Sequence, residues 1–276
     1  MDSKITPRKI GQSILWAVWT CSVFLLVQAI LSLVLSWFIK ITSIHITSAL
    51  AQTIFSLLAY SISIVIIIVL PKYLSKLWHE KHPKSKLPDF TIKKSDLGLN
   101  ELPTWTDIGL APAGLIVYAM FAALLTSLFS LFPWFNISEN QDVGFNTLVL
   151  TSDRIFAFIT LVVIAPIAEE LIFRGFLYKK IKDLFFKKED RKTVRQAKRK
   201  TPKKQELIAI AISTFITSLA FGIMHGQWNI GVNVFAMSVI LCIMREITGS
   251  IYSGILLHML KNAIAFYLLY VVTLGF

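Results

Sequence analysis

The residues of this chain that could do chemistry are few, and they sit where water should be scarce. One apolar run reads Ile164-Ala165-Pro166-Ile167-Ala168-Glu169-Glu170-Leu171-Ile172-Phe173-Arg174-Gly175. At the centre of a membrane span an Asp, Lys or Arg costs about 2.5–3.5 kcal/mol, so such groups need partners and point to function by default. Glu170 and Arg174 stand four residues apart with the glutamate first, the favourable order for an ion pair on a helix. Glu169 points roughly 100° away from Glu170 and is expected to be left free, as a general base would need to be. Later runs carry three more polar groups: His225, ending Ser218–His225, and the pair His258 and Asn262, which share a helix face. A carboxylate, two imidazoles and an amide brought from three segments can polarise a water and stabilise an oxyanion. The plainer reading is that Arg174 snorkels from a helix end and each histidine bridges neighbouring helices.

These groups need spanning elements to hold them, and the composition supplies such elements. The 276 residues are 55% hydrophobic and only 16% charged, with a mean hydropathy of +0.66. Soluble domains run near 45–50% apolar and about 25% charged, so an ordinary globular enzyme is disfavoured. A span needs about 20 apolar residues, and seven runs qualify: Ile14–Ile39, Leu50–Leu70, Ile108–Phe135, Ile155–Tyr178, Leu207–Met224, a short Ile230–Met244, and Ile251–Phe276. The expected fold is all-α, a polytopic transmembrane helical bundle of about seven spans, bracketed by six and eight. The first run is too long for the 7–15-residue core of a signal peptide and is read as a retained span. Residues 1–150 hold three spans and no motif; residues 151–276 hold every group named above.

The net charge of +12 does not point to nucleic acid. Twenty-three of the 28 Lys and Arg fall before Gly11, between Lys72 and Lys94, and between Lys179 and Lys204. Spanning runs separate these clusters, as the positive-inside rule would have it, so the N-terminus and the basic loops are expected in the cytoplasm of a multi-pass cell-membrane protein, facing anionic lipid. The loop from Asn136 to Asp153, with Glu139, Asp142 and Asp153, then falls outside. Cys21 and Cys242 both lie in apolar runs and read as small hydrophobes, not as a disulfide framework.

Taken in order, Glu-Glu-x-x-x-Arg at Glu169–Arg174, Phe-x-x-x-His at Phe221–His225 and His-x-x-x-Asn at His258–Asn262 resemble the CPBP family. This family, also called ABI, comprises CAAX-prenyl endopeptidases and bacteriocin-processing or self-immunity proteases. Arg245-Glu246-Ile247-Thr248-Gly249-Ser250-Ile251 is also similar to a family segment, and the likeness covers about Ile155 to Ala265. The resemblance implies an intramembrane endopeptidase acting on a hydrophobic or lipidated peptide or protein. In that reading Glu169 is the general base, His225 binds the same water, and His258 with Asn262 stabilises the oxyanion; Glu170 and Arg174 support the site. Glu169, His225 and His258 would also make an adequate zinc set, but the His-Glu-x-x-His signature is missing, and the metal-free form is favoured.

Two other classes fit less well. A non-catalytic immunity or peptide-binding protein could use the same scaffold. A small-solute transporter would also explain intramembrane charge, but no inverted repeat supports it. One strain is visible in the endopeptidase reading. Glu169 and His225 fall at depths that differ by over roughly 10 Å when counted at 1.5 Å per residue from their cytoplasmic span ends. A helix break at Pro166 would reconcile them.

Overall fold

A computed structural model describes residues 6–42, 47–83, 92–99, 102–139, 145, 148, 150–185 and 204–272. Seven helices are long and apolar enough to cross a membrane: α1 (Pro7–Thr42), α2 (Ser48–Lys81), α4 (Trp105–Phe129), α5 (Thr151–Phe185), α6 (Lys204–Ile223), α7 (Trp228–Thr248) and α8 (Tyr252–Tyr270). A four-residue helix, α3 (Lys94–Leu97), lies between α2 and α4. The chain is thus a multi-pass helical membrane protein, as its composition requires. Most of the basic stretch between Lys179 and Lys204, and Asp142, lie outside the described residues.

Several boundaries differ from the apolar runs, for physical reasons. The sixth element is not short: α7 has 21 residues, because Asn229, Asn233, Arg245 and Glu246 continue a helix that an apolar count interrupts. Helix α5 begins four residues before Ile155 and ends at Phe185, seven beyond Tyr178. Its last turns bury Tyr178, Ile181 and Phe185 and leave the lysines between them half-buried, an amphipathic pattern that apolar counting misses. Helix α4 stops at Phe129, and the aromatic residues beyond it, Phe132, Trp134 and Phe135, stack on Phe129 instead of prolonging the span.

The expected break at Pro166 does not occur. Helix α5 widens into π turns over Ile159–Ile164, returns to α geometry over Ala165–Glu170, and widens again over Leu171–Leu177. A proline lacks the N–H that the fourth preceding carbonyl expects, and its ring collides with that carbonyl. The carbonyl in question is that of Val162, inside the first wide turn, so the extra space removes the clash without ending the helix. Helix α2 repeats the device: Val65–Val69 is wide, and Pro71 follows it. Such wide turns in α-helices are frequent at functional sites.

Helix α7 forms the centre of the second half, packed between α6 on one side and α4 and α8 on the other, while α1 lies against α2, α6 and the C-terminal half of α5. Some alcohol side chains inside the bundle bond to their own helix, Ser13 to the Lys9 carbonyl and Thr20 to that of Trp16. The turn between α7 and α8 is clamped from below. Arg245 donates to the carbonyls of Gly249 and Asp96, and the amide of Ile251 donates to the carbonyl of Gly98. Gly98 has φ 78° and an added Cβ would lie 2.8 Å from the Arg245 guanidinium carbon, so only glycine serves there.

Candidate functional site

The two wide turns of α5 flank the six residues that carry Glu169 and Glu170, and the site is built around them. Glu170 is fully buried and its Oε1 accepts from Arg174 Nη1 at 2.8 Å, which is the expected i, i+4 pair; Arg174 is 1% exposed. The guanidinium also lies over the ring of Phe221, 4.3 Å from its centroid. A charge pair this deep is held by geometry, and removing one partner would strand the other. The same Glu170 oxygen faces His258 Nδ1 at 3.2 Å. A carboxylate can only accept, so the proton sits on Nδ1 and Nε2 is turned toward Glu169 Oε2 at 3.8 Å.

Glu169 is not left free. Its Oε1 accepts from the hydroxyl of Tyr60 at 2.5 Å, a residue of α2 that none of the three motifs contains. Tyr60 in turn packs on Phe24 of α1, so the first two helices hold the carboxylate in place. No local pattern marks Tyr60 in the sequence. It is one tyrosine in an apolar run, and only the packing of α2 on α5 gives it a partner. With Oε1 occupied, Oε2 is the oxygen available to a water, and it is the one beside His258.

His225 arrives from the far end of α6. The helix ends in the turn Met224–Gly226, where Gly226 adopts φ 71°. Close approach of α6 and α7 fixes this end: an added Cβ on Gly222 would meet the Gly231 carbonyl oxygen at 2.8 Å, and one on Gly231 would meet that of Gly222 at 3.0 Å. His225 Nδ1 faces the Phe221 carbonyl at 2.9 Å, so it carries the proton and leaves the Nε2 lone pair open. The motif phenylalanine thereby has three tasks. Its carbonyl sets the His225 tautomer, its face receives Arg174, and its ring packs against both His225 and His258, with centroids 5.1 and 6.1 Å apart. His225 lies in the turn beyond α6, and burial there pushes its imidazole below the ordinary value, opposed in part by the nearby Glu169 carboxylate.

Asn262 stands one turn along α8 from His258 and does not touch Glu169. Its amide donates to the carbonyl of Leu161 at 2.8 Å, a carbonyl in the first wide turn of α5. The bond fastens α8 to the widened segment and leaves the second amide hydrogen unassigned. Six sequence-expected residues therefore divide as follows. Glu169, Glu170, Arg174 and His258 form one contacting cluster, His225 joins it through Phe221 and the field of Glu169, and Asn262 braces its edge.

The depth conflict is eased by the true length of α5. Glu169 lies 16 residues from Phe185 and His225 lies 21 from Lys204, a difference of five residues or about 8 Å along helices that are free to tilt. As for metal, no group of three or more His, Cys, Asp or Glu among the described residues is disposed to hold an ion. His258 bonds Glu170 through Nδ1, His225 bonds the Phe221 carbonyl through Nδ1 and Glu169 bonds Tyr60 through Oε1, so the atoms that would face a metal, were one bound, are His258 Nε2, His225 Nε2 and Glu169 Oε2.

Fold and site together define a polytopic helical membrane protein with a buried Glu–His cluster fed by three spans. Residues 151–264 match the model of the family described as Type II CAAX prenyl endopeptidase Rce1-like. No curated protein and no solved structure matches the chain. The matched segment contains every motif residue of the cluster, whereas Tyr60 lies outside it.

Proposed function

We propose that the chain is an intramembrane endopeptidase that cleaves a hydrophobic or lipidated peptide or protein with a water activated by Glu169 and His225, without a metal. The observation that carries this reading is the alignment of Tyr60, Glu169 and His258, with one oxygen of Glu169 held and the other open beside an imidazole. In the reaction, a water donates one hydrogen bond to Glu169 Oε2 and the other to His225 Nε2. Glu169 takes the proton as the oxygen adds to the scissile carbonyl carbon. The carbonyl electrons move to oxygen, where the His258 imidazole and the free N–H of Asn262 stabilise the charge. The C–N bond then breaks as the proton held by Glu169 passes to the leaving amine.

In this reading the basic loops and the N-terminus face the cytoplasm and residues 1–150 contribute substrate selection as well as Tyr60. Membrane lipid surrounds the spans, and no nucleic acid is involved. Bacteriocin processing, self-immunity, CAAX processing and general membrane-protein cleavage are all settings compatible with it. The test is cleavage of prenylated and unmodified hydrophobic peptides by purified protein in detergent, with and without a chelator. Turnover by wild type that survives the chelator and disappears in Glu169→Gln supports the proposal; chelator-sensitive turnover restores zinc. Biological protection by a Glu169→Gln variant that cleaves nothing would replace it with a non-catalytic immunity or peptide-binding protein.

A further inference from the structure

The first wide turn of α5 leaves one carbonyl without the donor that its own helix should supply. At the end of this turn the Ala165 amide reaches back five residues to the Thr160 carbonyl, not four to that of Leu161. In the same register the next amide would serve Leu161, but it would belong to residue 166, and Pro166 has no N–H. Inside a membrane a carbonyl orphaned in this way is costly, and a neighbouring helix must satisfy it. Asn262 of α8 does so, its side-chain amide donating to the Leu161 carbonyl at 2.8 Å. From α2, Thr53 accepts the hydroxyl of Thr160 at 2.9 Å, so two helices grip the turn.

The width of the turn decides where the carboxylates point. A widened turn holds one residue more than an α turn, and one residue is about 100° around the helix axis. Glu169 and Glu170 follow within six residues of the turn, so its width sets their direction. In the wide register Glu169 meets Tyr60 of α2 and Glu170 meets His258 of α8. Narrowing would return the Ala165 amide to Leu161 and swing both carboxylates off these partners. A Leu161 carbonyl already bonded to Asn262 gains little from that change. We propose that Asn262 is a positioning residue: it gives Leu161 the hydrogen bond that Pro166 cannot, and so holds open the turn that aims Glu169. One N–H of the amide is spent on this task and the other is left for the oxyanion. The aiming of a general base rests on the endopeptidase reading; the pairing of Asn262 with the proline gap does not.

The test is a double-mutant cycle of Asn262→Ala and Pro166→Ala on the full chain in detergent, read by melting temperature and by kcat on a hydrophobic peptide. Alanine at 166 restores a backbone N–H where Leu161 needs one. Asn262→Ala alone should lower the melting temperature by several degrees and kcat about 10²-fold, the loss a misplaced catalytic group typically brings. Pro166→Ala alone should stay within a few-fold of wild-type kcat. With Pro166→Ala already present, Asn262→Ala should cost little in melting temperature, and the double variant should regain most of the kcat that Asn262→Ala loses. Equal melting losses in both backgrounds would overturn the proposal, since the two residues would then share no carbonyl. Coupled melting with no recovery of kcat would overturn the positioning role and leave the amide as an oxyanion donor only. Loss of kcat in Pro166→Ala alone would overturn it as well, making the proline ring what shapes the turn. A wild type that cleaves no peptide would sink the endopeptidase reading, while the melting cycle would still judge the pairing.

Discussion

The Tyr60 hydroxyl donates to Glu169 Oε1 at 2.5 Å across 109 residues of sequence, joining the half of the chain without motifs to the half with all of them. A hydrogen bond to a charged group contributes about 1.5–3 kcal/mol, and here it also selects which carboxylate oxygen faces the water. Tyr60→Phe removes the hydroxyl and keeps the ring against Phe24. Its kcat is expected to fall about 10–100-fold, the rate equivalent of that bond, while its melting temperature in detergent stays near wild type. Wild-type turnover by this variant would show that Glu169 is oriented by His258 alone.

The buried pair behaves differently from the base beside it. Glu170 and Arg174 are closed off from solvent and joined by the Nη1–Oε1 bond, so breaking the pair leaves an uncompensated charge, worth about 3–5 kcal/mol of stability. Arg174→Met should lower the melting temperature by several degrees and reduce activity through misfolded protein and loss of the Phe221 contact. Glu169→Gln should abolish cleavage at unchanged melting temperature. Thermal unfolding of both variants in the same detergent checks the contrast, and a destabilised Glu169→Gln beside an unaffected Arg174→Met would reverse the two roles.

A pH profile addresses His225. Burial holds its imidazole below the ordinary value of 6.5, so the neutral form with an open Nε2 is the resting state at neutral pH. Protonation removes the lone pair that receives the water, so activity should fall on an acid limb whose midpoint lies below 6.5. Stability has the same sign. The unfolded chain takes up a proton near 6.5 and the folded one does not, so stability drops as pH falls through 6.5 toward the folded value and levels off beneath it. Measured kcat/KM of His225→Gln should lack that limb; an acid limb that persists unchanged belongs to another group.

How much of this was legible in the sequence depends on how local each feature is. The Glu170–Arg174 pair could be read directly because a helix brings positions four apart together whatever surrounds it. His258 could be assigned to the site, but its choice of Glu170 through Nδ1 depends on α8 crossing α5 and has no local sign. Seven spans follow from apolar length, whereas the seven extra residues of α5 are amphipathic and invisible to such a count. Pro166 was a correct signal of irregularity with the wrong outcome, since a widened turn and a break both relieve the same carbonyl clash. Tyr60 was illegible because its importance lies wholly in its neighbour.

The position of His225 depends on the crossing of α6 and α7, and two glycines set that crossing. An added Cβ on Gly222 would lie 2.8 Å from the backbone oxygen of Gly231, and a backbone atom cannot swing aside as a side chain can. Gly222→Ala must therefore push the helices apart, at a cost of about 1–3 kcal/mol by analogy with overpacked cores. Gly222 lies one turn from His225, so the displacement reaches the imidazole while Glu169 and its Tyr60 bond stay in place. A misplacement near 1 Å can cost about 10²-fold in rate, so the expected result is a loss of kcat far larger than the fall in melting temperature would explain. Gly11 offers the control, since nothing lies within 4 Å of a Cβ added there. Gly11→Ala should leave kcat unchanged and the melting temperature equal or slightly higher, since alanine favours a helix over glycine, and a Gly222→Ala variant that matched it would show that the α6–α7 crossing does not set the imidazole.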